Sequence, residues 1–114
     1  MRIIEGTTEF QAQEETAISI GKFDGLHQGH QLLVERIVKK KQEGLKALIF
    51  TFDFGDRPVL LLPEERREML RKWGVDYLLE CPFVESISHM EAEEFVRKIL
   101  VERLHVRYLA VGTD

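Results

Sequence analysis

The decapeptide Gly21-Lys22-Phe23-Asp24-Gly25-Leu26-His27-Gln28-Gly29-His30 sets three glycines and two histidines directly after the apolar run Ala17-Ile18-Ser19-Ile20. A stable strand or helix does not use that mixture, so the stretch marks a junction where chemistry can be placed. Glycine lets a ligand approach the backbone closely. A helix beginning near Gly29 would add unpaired N–H groups and a positive dipole end, an anion site. His27 and His30 would bracket that end. A neutral imidazole donates one hydrogen bond, and an imidazolium offers two donors and a charge. Aimed at phosphate oxygens, such groups stabilise charge developing in phosphoryl or nucleotidyl transfer. The same pair could instead ligate a metal, although no third ligand stands at helical spacing nearby, or could cap the loop structurally. The spacing is neither G-x-G-x-x-G nor a P-loop, because no G-K-[ST] follows the glycines.

The elements around the loop alternate. Ala17–Gly21 reads as a short buried strand. Gly29–Glu43 reads as a helix with Leu33/Ile37 and Val34/Val38 at i,i+4, ended by Gly44. Lys46–Phe52 is β-branched and aromatic, a second buried strand. A further helix opens at Pro63, with Glu64 and Glu65 in its first turn, Arg71 and Lys72 in its last and Gly74 beyond. Val75–Cys81 and Val106–Val111 read as strands. Glu91–Leu104 reads as a helix with Phe95/Ile99 and Val96/Leu100 along one face, and Arg2–Glu5 as an edge strand. Strands separated by helices predict an α/β fold, a Rossmann-like parallel sheet with helices on both faces. Ligands in such sheets bind at the carboxyl ends of the strands near a switch in strand order, which is where the loop falls.

Bulk properties narrow the class. One domain of 114 residues, 44% apolar and 32% charged, is a globular profile. The net charge of −4 argues against a nucleic-acid binder. The run Lys39-Lys40-Lys41 is expected to complement a helix C-terminus, not to form a binding patch. No apolar run approaches a membrane span and no signal-peptide pattern opens the chain. One cysteine, Cys81, makes no internal disulfide, which fits the cytoplasm, and its place at a strand end predicts packing. Trp73 could stack on a flavin, but a packed helix terminus is the more economical reading.

The decapeptide resembles the G-N-F-D-G-x-H-x-G-H signature of the prokaryotic FAD synthetases, and its H-x-G-H is the hallmark of the wider nucleotidyltransferase superfamily. Thr51-Phe52-Asp53 is similar to that family's T-F-[DE]. Gly74-Val75-Asp76-Tyr77-Leu78 with Pro82-Phe83 resembles its G-V-D-Y-L…P-F, and Glu93–Val96 and Val111–Asp114 resemble E-E-F-V and V-G-x-D. The resemblance covers about Ala17 to Asp114.

It implies an FMN adenylyltransferase that takes ATP and FMN to FAD and pyrophosphate by direct in-line attack, within a bifunctional riboflavin kinase/FAD synthetase. Gly21, Lys22, Phe23, Asp24, Gly25, His27, Gly29 and His30 would then hold ATP, with His27 and His30 catalytic. Phe52, Asp53 and Asp114 are expected at the flavin or nucleotide pocket. Mg²⁺ would be bound through the ATP phosphates, with no protein metal site. Rival readings are another small-molecule nucleotidyltransferase, of the pantetheine-phosphate or glycerol-phosphate type, and a non-catalytic nucleotide- or flavin-binding module.

Departures from the pattern are visible. Lys22 stands where Asn is commonest, and Phe54-Gly55-Asp56-Arg57-Pro58 replaces the usual P-H-P. Thr is common in the family near Leu61-Leu62. The family's F-x-F-G and I-S-S-T-x-I-R motifs and its kinase module are not present. The chain is therefore expected to be part of a longer enzyme, poorly active alone and self-associating through its last strand.

Overall fold

The computed structural model describes residues 1–5, 10–21, 28–53, 63–82 and 90–111. Its five strands are β1 (Arg2–Glu5), β2 (Thr16–Gly21), β3 (Lys46–Asp53), β4 (Tyr77–Pro82) and β5 (Val106–Val111). They form one sheet in the order β1-β4-β3-β2-β5, and every pairing is parallel. Helix α1 (Gln28–Lys39) runs on through a 3-10 turn, Lys40–Glu43, and joins β2 to β3. Helix α2 (Pro63–Lys72) joins β3 to β4. Helix α3 (Ala92–Phe95), continued by the π-helical stretch Val96–Arg103, lies between β4 and β5.

The central strands carry apolar residues on both faces because both faces are covered. Ala47, Leu48, Ile49 and Phe50 of β3 are fully buried. Ala17, Ala47, Ile49, Leu78 and Ala110 pack with Val34 and Ile37 of α1 and Leu70 of α2. On the opposite face Ile18, Leu48, Phe50, Leu79 and Cys81 pack with Ile99, Leu100 and Leu104. The crossovers β2–α1–β3 and β3–α2–β4 step one way across the sheet, and the α3 crossover returns to place β5 on the other side of β2. The switch in strand order therefore falls between β2 and β5.

Boundaries follow local chemistry. Gly44 ends the first helix with φ 87°, and Gly74 follows α2 with φ 97°, both left-handed conformations that suit glycine. Strand β4 begins at Tyr77, two residues later than the apolar pattern suggests, because Asp76 is engaged in a turn-like bridge to β3.

One expectation is corrected and another, the lysines at the end of the first helix, holds and is extended. The third helix is not uniformly α: beyond Phe95 it is wound with the wider i→i+5 period, which buries the adjacent residues Ile99 and Leu100 and leaves Val96 41% exposed, so Val96 does not share Leu100's buried face. The lysine run also does more than meet a helix dipole. Lys40 pairs with Glu43 at 3.0 Å and sits over the Tyr108 ring, while Lys41 donates to the Gly74 carbonyl and pairs with Asp76.

Candidate functional site at the carboxyl edge of the sheet

The last residue of β2, Gly21, is the root of the glycine–histidine loop. It pairs in register with Thr51 of β3, Thr51 with Glu80 of β4, and Glu80 with Glu5 of β1. These four residues form one row near the carboxyl ends of the strands. Strand spacing of roughly 4.8 Å puts Gly21 and Glu80 about 10 Å apart across the row. Ser19, one inward position below Gly21, is fully buried on the α1 face, and its hydroxyl has no hydrogen-bond partner.

Gln28, Gly29 and His30 form the opening turn of α1. That turn leaves backbone N–H groups without intrahelical acceptors and carries the positive end of the helix dipole, beside the switch point. Gly29 is exposed and His30 half-buried there. Strand then glycine loop then helix is the arrangement expected from the sequence for Gly21, Gly29 and His30. Lys22, Phe23, Asp24, Gly25, His27 and Asp114 lie outside the described residues.

Phe52 projects from β3 toward α3, with its ring 5.2 Å from Phe50 and 6.1 Å from Phe95. It thus belongs to an aromatic cluster on the sheet face opposite α1, near the carboxyl end of β3. Asp53 is the final residue of β3, paired in register with Pro82. Trp73 packs against the α1–α2 core as a helix terminus. Cys81 is 1% exposed, burial pushes its thiol pKa up, and it serves as a packing residue.

The sequence reading missed a charged cluster at the β4 end of the row. Glu80 is 8% exposed and accepts from Arg66 Nη2 at 2.7 Å and from Arg67 Nε at 3.3 Å. Arg67 Nη2 also donates to Glu80 and to Glu5. Burial works against the Glu80 charge, but the hydrogen bonds from Arg67 and Arg66 outweigh it and hold its carboxyl below the usual range. The Arg67 guanidinium is held charged chiefly by its bond to Glu80. Arg66 uses one corner on Glu80, and its buried Nε has no hydrogen-bond partner. A glutamate at an inward strand position, preceded by an arginine pair in a helix's first two turns, was the available signal.

Among the described residues no group of three or more His, Cys, Asp or Glu is placed to hold a metal ion. A cavity of about 340 Å³ lined by Arg36, Lys39, Lys40, Gln42, Glu43 and Tyr108 lies at the far end of α1, away from this edge. No described helix is long and apolar enough to cross a membrane.

A doubly wound parallel sheet in which α1 follows β2 at the switch in strand order defines a Rossmann-like α/β protein. Residues 9–114 match the FAD synthetase family, and the chain belongs to it. It is 30% identical over 128 aligned positions to the bifunctional riboflavin kinase/FMN adenylyltransferase of Buchnera aphidicola subsp. Schizaphis graminum, and equally to that of Escherichia coli K12; each alignment covers 100% of this chain and 40% of the relative. The Haemophilus influenzae protein of the same name is 29% identical, over 86% of this chain and 35% of its own length. The chain thus spans about two fifths of the length of the first two relatives. A crystal structure titled as a macrolide-efflux protein from Streptococcus pneumoniae superposes on the whole chain, and on 49% of its own, with TM-score 0.87 at 23% identity; this likeness concerns the fold alone.

Proposed function

We propose that this chain forms the nucleotide-binding side of an FMN adenylyltransferase, within a bifunctional enzyme that also phosphorylates riboflavin. The observation that carries the reading is His30 in the first turn of α1, at the switch point that follows β2, in a member of the FAD synthetase family. ATP phosphates would lie against the α1 N-terminus and the imidazoles of His27 and His30. An FMN phosphate oxygen attacks the α-phosphorus; the new P–O bond forms as the bond to the β-phosphate breaks, and pyrophosphate leaves. The protein's part is to position both phosphates and neutralise the developing charge, with no covalent enzyme intermediate. Mg²⁺, carried by the triphosphate, would neutralise phosphate charge further. Gly21, Lys22, Phe23, Asp24 and Gly25 would shape the ATP site, and Phe52, Asp53 and Asp114 its flavin side.

The net charge of −4 and the lone buried cysteine support a cytoplasmic enzyme of small molecules with no nucleic-acid partner. Among the described strands β5 lies at an edge, and its Leu109 and Val111 are 40% and 55% exposed, which supports self-association of this chain through that edge. Sedimentation equilibrium that finds only monomer at high concentration removes that part of the reading. The reading as a whole is tested by release of pyrophosphate and appearance of FAD from ATP and FMN in the full-length protein. Saturable ATP binding with no turnover would make it a binding module instead.

A further inference from the structure

The cavity of about 340 Å³ lies where the end of the first helix meets β5, at the opposite end of α1 from His30. Its walls are Arg36 and Lys39 of α1, Lys40, Gln42 and Glu43 of the 3-10 turn, and Tyr108 of β5. Arg36, Lys39, Lys40 and Glu43 recur at three- and four-residue spacing, so they line one face of the helix. Three cations stand there against one carboxylate, in a chain whose net charge is −4.

These cations are not consumed by the fold. Arg36 and Lys39 are exposed, and neither takes part in an ion pair or side-chain hydrogen bond among the described residues. Lys40 is fixed, with Nζ 3.0 Å from the Glu43 carboxylate and 4.8 Å from the centre of the Tyr108 ring. One ammonium is therefore already oriented on the cavity wall. Glu43 is 62% exposed, so its carboxylate can turn out to solvent when another anion takes its place on Lys40. Lys41, by contrast, is engaged with Gly74 and Asp76 and is not among the lining residues. A helix C-terminus opposes an anion with about half a charge. Here the Gly44 N–H donates to the Lys41 carbonyl at 3.0 Å and the Leu45 N–H to the Lys40 carbonyl at 3.4 Å, which satisfies two of the last carbonyls. The surplus of cations outweighs what remains.

We propose that this cavity binds an oligophosphate anion, with Arg36 and Lys39 holding its oxygens and Lys40 receiving it beside Tyr108. Charge and size set the class of ligand. Displacing Glu43 from Lys40 takes an anion with more than one negative charge, which a di- or triphosphate carries. A guanidinium fork fits phosphate oxygens in pairs, and ammonium groups add point charges around them. The volume is at the small end of ligand pockets, enough for a phosphate chain. A free inorganic oligophosphate and the phosphate tail of a nucleotide share this chemistry. The site lies away from the start of α1, so it does not depend on the adenylyltransferase reading.

The test is titration of the isotope-labelled chain with inorganic triphosphate at physiological salt, followed by backbone amide NMR shifts. Saturable shifts are expected at residues 39–44 and at Tyr108, separate from any at residues 28–30. ATP should reproduce them and adenosine should not. A tighter hold on ATP than on triphosphate would identify the nucleotide as the source, and equal affinities the free anion. Arg36→Gln and Lys39→Gln should each weaken binding at this site by about three- to tenfold. Glu43→Gln should strengthen it by a similar factor, because the competing carboxylate is gone, and a damaged fold would not produce that sign. Lys98→Gln makes the same change in net charge at a surface pair with Glu94 and should leave the affinity as in wild type. The proposal is overturned if triphosphate shifts only residues 28–30, or if Arg36→Gln and Lys39→Gln bind as wild type does. It is equally overturned if Lys98→Gln weakens binding as much as they do, or if an acidic peptide shifts these amides and triphosphate does not. None of these outcomes bears on the adenylyltransferase reading, whose own test is FAD formation.

Discussion

The Asp76 carboxylate accepts a hydrogen bond from the Ala47 N–H at 3.0 Å, while the Asp76 N–H donates to the Ala47 carbonyl at 2.8 Å. Lys41 adds an ion pair to the same carboxylate at 3.2 Å, and the Arg2 N–H donates to the Asp76 carbonyl. One residue thus joins the starts of β1, β3 and β4 to the end of the first helix. Replacing Asp76 with Ala leaves the fully buried Ala47 with an unsatisfied N–H. The expected cost is about 1–3 kcal/mol. A fall of roughly 4 °C in unfolding temperature per kcal/mol follows for a domain of this size. Thermal unfolding by circular dichroism measures it, and an unchanged midpoint would show the bridge to be dispensable.

Glu80 gives a pH dependence with a definite sign. Its carboxyl is held below its ordinary value of 4.5 in the folded chain by Arg67 and Arg66 against the opposing effect of burial. The unfolded chain therefore takes up this proton first as pH falls. The stabilisation is complete above pH 4.5 or so, shrinks below it, and is lost once pH passes the folded-state value. Glu80→Gln strips two arginines of their buried counter-charge and should destabilise the neutral-pH fold by about 3 kcal/mol. Urea unfolding at pH 7 and pH 3 should show the gap between wild type and variant closing in acid. A constant gap would contradict the account.

Backbone conformation separates two positions. Gly74 has φ 97°, and a Cβ built there meets Val38 Cγ1 at 3.3 Å, so Gly74→Ala should destabilise by about 1 kcal/mol or more. His105 is exposed and adopts φ 52° at the turn into β5, so His105→Gly should stabilise by up to about 1 kcal/mol. Opposite shifts in denaturation midpoint are expected, and shifts of the same sign would refute the argument.

For His30, alanine removes an imidazole from the first turn of α1. Adenylyl transfer should fall by about 10²–10³-fold, the usual consequence of losing one donor to transition-state charge, while ATP affinity changes far less. Separating FAD from FMN by chromatography in the full-length protein gives the rate, with riboflavin phosphorylation as an internal control. A variant within a few-fold of wild type would remove His30 from the chemistry.

Much of the molecule was legible in the chain. Buried parallel strands announce themselves as apolar runs, as Lys46–Phe52 did, because both of their faces must be covered. Helix ends were marked by Pro63, Gly44 and Gly74, because proline fixes φ and glycine tolerates left-handed conformations without help from distant residues. The order of types along Gly21–His30 placed a strand, a loop and a helix start, and Gly21, Gly29 and His30 stand where that order puts them. These are short-range properties, decided within a few residues.

The tertiary structure alone decided what lies far apart in sequence. Strand order set the switch point between β2 and β5, because whether a crossover passes over one face or the other depends on packing and not on any single segment. The Arg66–Glu80–Arg67–Glu5 cluster joins three elements, and a charged residue in an apolar strand cannot be judged until its partners are in place. The same holds for Lys41 and Asp76, whose roles appeared only when the first helix met the turn before β4. Val96 and Leu100 had equal claims to the buried face, and the π winding after Phe95 chose between them. Local propensity settles the backbone, but burial and charge pairing are sums over neighbours that only the folded chain supplies.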